Sequence, residues 1–149
     1  MNPTFLKYLK RDLGGLSVLV IEDDWLFMKL LNKALEAVGI NSIEMANDGN
    51  LGYMKAQCSP YDLIITDFDM PGYVGTEIIK KIHENRPGQV FILMTKHDAM
   101  KSVQEIFRRN SKVHLIGKSL FQDCLGGEHQ ARFWELFSRA GLHAKMAKL

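Results

Sequence analysis

The chain has 149 residues, of which 46% are hydrophobic and 24% are charged, and its formal net charge is +2 at pH 7. This length and composition are typical of one globular domain and leave little room for a second core. The small net charge argues against nucleic-acid binding, and two cysteines without metal or redox spacing argue against a disulfide framework. No apolar run reaches the ~18 residues of a membrane span. We therefore expect a cytoplasmic protein without membrane contact.

Short apolar runs alternate along the chain with segments in which apolar residues recur at helical spacing. The runs predict strands at 17–21, 40–45, 62–66, 89–94 and 113–116. The spacing predicts helices at 26–38, 50–57, 98–109 and 128–140, and one around Ile78, Ile79 and Ile82. Asp24 is expected to cap the first of these helices and Gly39 to end it. Five strands alternating with five helices predict an α/β fold with a doubly wound, five-stranded parallel sheet.

The chain is expected to comprise three segments. Residues 1–15 form an N-terminal extension, in which apolar residues predict a short amphipathic helix packed on the domain. These residues are Phe5, Leu6, Tyr8, Leu9 and Leu13. Residues 16–140 form the domain, and residues 141–149 form a basic C-terminal tail. Within the domain, the segment 119–127 is predicted to be a long join to the last helix, made flexible by its Gly-Gly pair.

Ionisable residues directly follow three of the predicted strands. Glu22 and Asp23 follow the first strand, Asp67 follows the third with Asp69 two places on, and Lys118 follows the fifth. Because ligands bind beyond the carboxyl ends of parallel strands, these groups are expected to converge at one edge of the sheet. Carboxylates that lie close together repel one another unless a cation sits between them. The pattern therefore predicts a site for a divalent metal ion.

Four motifs, in their order along the chain, resemble the receiver domain of bacterial two-component response regulators, including its single-domain members. The motifs occupy residues 18–24, 61–72 and 91–95, followed by Lys118. The resemblance covers roughly residues 16–140. It implies a flavodoxin-like receiver fold with strand order 2-1-3-4-5 and a switch point between the first and third strands.

The resemblance also implies Mg²⁺-dependent phosphorylation. Asp67 would be the phosphoacceptor and would attack the phosphorus of a phosphohistidine donor. Asp23 and Asp67 would ligate Mg²⁺ directly, and Glu22 would act through a bound water. The backbone carbonyl of Asp69 would be a further ligand.

Two further positions match residues that act on the phosphoryl group in this family. Lys118 would hold the phosphoryl oxygens, and the hydroxyl of Thr95 would bind the group and pull on the loop that follows. The implied partners are a sensor histidine kinase or a histidine phosphotransfer protein, and a downstream protein target; the family leaves room for a weak homodimer. Such a protein promotes its own phosphorylation and dephosphorylation and is not an enzyme with a separate substrate.

Three positions depart from the family pattern. Ser119 follows Lys118 where the family has proline after a cis bond, so this peptide bond is either a strained cis bond or a cheaper trans bond. Leu115 stands where the family has a rotating aromatic residue, which leaves the coupling of that ring to the hydroxyl absent or altered. Lys96 stands where a small residue is usual, and it would contact the phosphoryl group or hinder the phosphotransfer partner.

These departures leave a second hypothesis open, a receiver-like protein-interaction module that is not phosphorylated. A third hypothesis, a flavodoxin-like cofactor protein, is rejected. The first strand lacks a phosphate-binding loop after it, and the acidic run Glu22-Asp23-Asp24 would repel a flavin phosphate.

Overall fold

A computed structural model of the chain describes residues 2–70, 74–96, 100–124 and 130–147, and these ranges contain five strands and seven helices. The strands are β1 (Ser17–Ile21), β2 (Ser42–Ala46), β3 (Leu63–Asp67), β4 (Val90–Thr95) and β5 (Val113–Gly117). The helices are α1 (Pro3–Leu13), α2 (Trp25–Ala37), α3 (Gly49–Cys58), α4 (Gly75–Asn85), α5 (Met100–Phe107), α6 (Lys118–Cys124) and α7 (Gln130–Met146). None of the helices in the described ranges is long and apolar enough to cross a membrane.

The five strands form one sheet in the order β2-β1-β3-β4-β5, and every neighbouring pair is parallel. The predicted fold class and strand order are therefore confirmed. Continuous apolar runs suit a sheet that helices cover on both faces, because neither side of a strand then meets water. The strand order reverses between β1 and β3, and ligands bind beyond the carboxyl ends of the strands at such a switch point.

Helices on the two faces of the sheet divide the core into two clusters. On one face, strand residues such as Val18, Val20 and Ile65 pack with α1, α2, α6 and α7. On the other face, Leu19 and Ile64 pack with α3, α4 and α5. Neighbouring residues of a strand thus enter opposite clusters, which is the period of two expected of a strand that is buried on both sides.

Helix α2 begins and ends as the sequence predicts. The carboxylate of Asp24 accepts a hydrogen bond from the backbone N–H of Phe27 at 3.1 Å, which caps the first turn. Gly39 follows the helix with φ of 90°, a conformation that glycine adopts without steric cost. The cap holds the start of α2 directly beyond the carboxyl end of β1.

Helix α1 confirms the amphipathic helix predicted for the N-terminal extension. Asn2 caps it by accepting a hydrogen bond from the backbone N–H of Thr4 at 2.8 Å. Leu9 and Leu13 are buried in the same cluster as α7, whereas Tyr8 lies on the exposed side. Helix α1 therefore contributes to the core beneath the sheet.

Residues 118–124 form helix α6, so the prediction of a flexible join over 119–127 was wrong for the part that the structure describes. The rest of that segment, with Gly126 and Gly127, lies outside the described residues. The helix forms because Phe121 is fully buried. Its ring packs edge-on against Phe27 of α2, with centroids 5.3 Å apart, and tilts against Phe133 of α7. Tertiary packing of this kind stabilises short helices that local sequence patterns do not reveal.

Helix α7 continues to Met146, beyond the predicted end at residue 140, so residues 141–146 of the predicted tail are helical. Gly141, the first residue of that tail, lies inside the helix where α1 approaches it closely. A Cβ atom on Gly141 would collide with Leu13 and lie 3.3 Å from Cδ1 of Leu16. Ala144, one turn further on, continues the buried stripe. The glycine thus permits helix contact and does not end the helix.

We expect Gly141→Ala to lower the free energy of unfolding. Overpacking of a buried contact costs about 1–3 kcal/mol, and the better helix propensity of alanine offsets only about 1 kcal/mol. Urea unfolding measures the loss. The double variant Leu13→Ala/Gly141→Ala should lose less than the sum of the two single variants. Gly88→Ala is the control, because nothing lies within 4 Å of its added Cβ. A double variant that loses the full sum of the two single-variant losses would contradict the close approach of α1 and α7.

Candidate functional site

The parallel register brings the predicted site residues to one edge of the sheet. In the pairing of β1 with β3, Ile21 lies opposite Thr66, so Glu22 and Asp67 follow at the same level. Lys118 follows β5 at the same edge. Residues that are distant in the sequence thus meet beyond the carboxyl ends of the strands.

Lys118 joins two buried carboxylates. Its Nζ lies 3.0 Å from Oδ2 of Asp67 and 3.0 Å from Oε2 of Glu22. The side chain of Glu22 is 3% exposed and that of Asp67 is 6% exposed. Little water screens these charges, so both the attraction to the ammonium group and the repulsion between the carboxylates are strong. The single positive charge of the ammonium group cannot neutralise the two negative charges of the ionised carboxylates.

Asp23 adds a third carboxylate to this group. One oxygen from each of Glu22, Asp23 and Asp67 lies within 4.8 Å of the other two, and Asp23 is exposed. With Lys118 included, three carboxylates and one ammonium group carry two negative charges when all are ionised, which is the charge that one divalent cation neutralises. All the donor atoms are oxygen, the ligand type that Mg²⁺ prefers. The residues present therefore fit a Mg²⁺ ion.

Burial and charge shift the pKa values of the three residues that meet here. Burial, together with the charge of Asp67, raises the pKa of Glu22 to about 7. Burial also raises the pKa of the Asp67 carboxyl, although Lys118 opposes the rise. Burial alone would lower the pKa of Lys118, but the charges and hydrogen bonds of Asp67 and Glu22 outweigh it and raise the pKa. Near neutral pH, a proton on Glu22 and a bound cation are therefore alternatives.

Two other predicted residues lie at the same edge. The backbone N–H of Asp69 donates a hydrogen bond to the carboxylate of Asp67, while the carbonyl of Asp69 as a metal ligand stays a prediction. Thr95 is fully buried at the end of β4, and its hydroxyl donates to the carbonyl of Lys96 at 3.0 Å. Residues 71–73, where the second motif ends, lie outside the described residues.

Lys118 reaches the carboxylates from the first position of α6. Its peptide bond to Ser119 is trans, the cheaper of the two alternatives that the absence of proline left open. Although a helix replaces the expected loop at this point, the ammonium group still pairs with both buried carboxylates. The replacement of proline by Ser119 therefore changes the backbone structure that carries Lys118, but the ammonium group still lies between the same two carboxylates.

The sequence patterns did not single out Gly75, which lets α4 approach the end of β3. Gly75 is buried at the first position of α4, and its N–H donates to the carbonyl of Phe68 at 2.9 Å. A Cβ atom there would collide with the backbone carbonyl of Asp67 and lie 3.0 Å from Cα of Phe68. In the sequence, Gly75 is only a glycine eight positions after Asp67. Its importance can be recognised only when the path of the backbone is known.

The family model described as "Response regulator receiver domain" matches residues 18–121. The chain belongs to this family. It is a receiver domain of a two-component system, and the resemblance seen in the motifs of the sequence is confirmed.

The chain is also similar to individual curated proteins over part of their length. The transcriptional regulatory protein QseB of Escherichia coli O157:H7 is 28% identical over 98 residues, which cover 66% of this chain and 44% of that protein. The chain spans less than half the length of the first curated relatives that it matches.

Solved structures agree with this fold. A response regulator receiver domain protein of Clostridium thermocellum has a TM-score of 0.70 and 22% identity, and the match covers 89% of this chain and 96% of that one. The response regulator protein TrrA of Thermotoga maritima, in complex with Mg²⁺ and BeF, has a TM-score of 0.64 and 25% identity, with coverage of 80% and 97%.

We expect the effect of Glu22→Gln on the free energy of unfolding of the metal-free protein to depend on pH. Folding raises the pKa of Glu22 from 4.5 to about 7, so the folded state favours the protonated carboxyl, and this stabilisation is lost as the pH rises through 7. The amide of the variant does not titrate. The free energy of unfolding of the variant, relative to wild type, should therefore rise by about 2 kcal/mol between about pH 5 and about pH 8.

Urea unfolding in the presence of a chelator measures this difference at both pH values. Glu84→Gln, which changes an exposed glutamate on α4, is the control and should show no such trend. At the higher pH, a Mg²⁺ ion held by the ionised carboxylates would stabilise wild type more than Glu22→Gln, because a ligand that binds only the folded state raises its stability. A difference that stays constant with pH would contradict the raised pKa of Glu22.

Proposed function

We propose that this receiver accepts a phosphoryl group on Asp67 in a Mg²⁺-dependent reaction and signals through a changed protein-binding surface. The position of the Asp67 carboxylate carries the proposal. It is buried at the end of β3, lies 3.0 Å from the Lys118 ammonium group and shares a 4.8 Å cluster with two further carboxylates. A helix-capping aspartate needs only a backbone N–H as its partner. Capping therefore does not explain why the Asp67 carboxylate lies next to an ammonium group and two other carboxylates.

Asp67 is the nucleophile of the proposed reaction. One of its carboxylate oxygens attacks the phosphorus of a phosphohistidine, so that a P–O bond forms and the P–N bond breaks. The electron pair of the P–N bond leaves with the imidazole. Phosphoryl transfer requires mainly positioning and charge neutralisation. Lys118 supplies a positive charge next to the attacking carboxylate, and its raised pKa keeps it protonated at neutral pH.

Glu22, Asp23 and Asp67 would hold the Mg²⁺ ion with the backbone carbonyl of Asp69. Asp23 and Asp67 are the proposed direct ligands, and Glu22 is proposed to act through a bound water. The ion, when bound, would neutralise charge on the phosphoryl oxygens. The complex of TrrA with Mg²⁺ and BeF supports this assignment, because that protein and this chain share the receiver fold.

Thr95 would convert the modification into a change of surface. Its hydroxyl donates to the carbonyl of Lys96, and turning it toward a phosphoryl oxygen would break this bond and draw in the backbone after β4. Leu115 is partly buried against the cluster beneath α4 and α5. A rearrangement at this position would move an aliphatic side chain, where other receivers move a ring.

The proposed phosphodonor is a histidine kinase or a histidine phosphotransfer protein, and the proposed target is another protein. The chain would promote its own phosphorylation and dephosphorylation and would act on no separate substrate. A cytoplasmic location is part of the proposal, because the exposed Cys58 is a free thiol, as is usual in a reducing compartment.

Acetyl phosphate with Mg²⁺ should add one phosphoryl group to Asp67. The measurement is intact mass, followed by peptide mapping to locate the group. Asp67→Asn should abolish the label because an amide oxygen is a poor nucleophile, and removal of Mg²⁺ by a chelator should prevent labelling of wild type. Asp12→Asn makes the same change on α1 and should be labelled like wild type.

Absence of any label at millimolar Mg²⁺, with no change of amide NMR shifts on addition of beryllofluoride, would contradict this proposal. That outcome would favour the interaction module that is not phosphorylated. The residues that favour such a module are Lys96, Leu115 and Ser119. Persistence of the label in Asp67→Asn would instead show that another residue is the acceptor.

A further inference from the structure

The aromatic ring of Phe27 lies beneath the Lys118 ammonium group. Nζ of Lys118 is 4.5 Å from the ring centroid, within the range in which the face of a ring attracts a cation. Phe27 is 5% exposed and the side chain of Lys118 is 11% exposed. Water therefore screens this attraction only weakly. The contact is separate from the ion pairs that Lys118 makes with the carboxylates.

The ring of Phe27 is itself held from two sides. The Asp24 carboxylate caps the backbone N–H of Phe27 and fixes the first turn of α2. Phe121 of α6 packs edge-on against the ring, at 5.3 Å between centroids and 68° between planes. The centroid of Phe133 lies 5.1 Å from that of Phe121, and Phe133 makes no ring contact with Phe27 among the described ring pairs. Residues three apart share one face of a helix. Lys118 and Phe121 of the same helix thus both contact Phe27.

Lys118 needs support that does not depend on the carboxylates. Its long stem is flexible, and no proline ring stiffens the backbone after it. The carboxylates that now hold its ammonium group, Glu22 and Asp67, are the groups that Mg²⁺ binding and phosphorylation would engage. The face of the Phe27 ring is neutral and would bind neither Mg²⁺ nor the phosphoryl group. The contact between Lys118 and Phe27 would therefore persist after Mg²⁺ binding and after phosphorylation.

We propose that Phe27 is a positioning residue for phosphoryl transfer, which holds the Lys118 ammonium group beside Asp67. It would do so without a proline after Lys118, because Ser119 stands at that position. Phe121 keeps the ring of Phe27 in place. The inference rests on the proposed phosphorylation of Asp67 and adds a residue that itself touches no reacting atom.

The contact can be tested by NMR without a phosphoryl donor. The ring current of Phe27 should move the ε-CH₂ proton resonances of Lys118 upfield. Phe27→Leu should return them toward the usual lysine range, whereas Phe133→Leu, the same change one ring further away, should leave them shifted. Unchanged Lys118 resonances in Phe27→Leu would overturn the inference, whether or not Asp67 is phosphorylated.

The role of the contact can be tested through the rate of labelling by acetyl phosphate at saturating Mg²⁺. Phe27→Leu should lower the rate constant about three- to tenfold and leave the Mg²⁺ dissociation constant unchanged, because the carboxylates hold the ion. Phe27→Tyr keeps a ring face and should recover most of the rate. Phe133→Leu loses a buried ring of the same cluster and should keep the wild-type rate. If Phe27→Leu melts below the assay temperature, Phe27→Met takes its place, because the unbranched methionine side chain adapts to an irregular space.

Equal losses of rate in Phe27→Leu and Phe133→Leu would reveal a general packing defect and would overturn the positioning role. A wild-type rate in Phe27→Leu would overturn it too, as would a Phe27→Tyr variant with wild-type Tm that stays as slow as Phe27→Leu. A wild-type protein that takes no label would contradict the phosphorylation proposal instead. In that case the Lys118 resonances still decide whether Phe27 holds the lysine.

Discussion

The repulsion between two buried carboxylates at one edge of the sheet governs the rest of this structure. Glu22 and Asp67 follow neighbouring strands at the same level, so the parallel register alone forces them together. At an effective dielectric constant of about 20, two unit charges about 4 Å apart repel by about 4 kcal/mol. A domain is stabilised by only about 5–15 kcal/mol in total. Lys118 offsets part of this repulsion, and a proton on Glu22 or a divalent cation can offset the remainder. The need for compensating positive charge at this edge is therefore a consequence of the topology.

The parts of the fold and site that the sequence predicted are those set by local periodicity. Apolar runs stop where charged residues start, and all parallel strands end at the same edge, so the order of residues was enough to bring Glu22, Asp67 and Lys118 together. The cap at Asp24 and the turn at Gly39 were predictable for a related reason. Each depends on a side chain or a φ angle within one turn of the helix that it bounds.

The parts that the sequence did not reveal depend on contacts between residues far apart in the chain. Helix α6 forms because Phe121 is buried against Phe27, and a short segment with two glycines after it has no helical pattern of its own. Helix α7 continues past Gly141 because α1 lies against it there. Gly75 is required by the backbone of Asp67, which no periodicity encodes. In each case the decisive neighbour comes from another element.

The contact between α1 and α7 also bears on how the chain folds. Nζ of Lys145 donates to the carbonyl of Arg11 across 134 positions of sequence, and Leu13 shares one cluster with Ala144. Closing so long a loop costs entropy before any contact repays it, so pairings of this kind form late and slow the folding of a chain. During synthesis, α1 leaves the ribosome long before α7 exists. Until α7 has been made, the part of the apolar side of α1 that α7 covers has no partner, and exposed apolar surface of this kind makes an unfinished chain prone to aggregation.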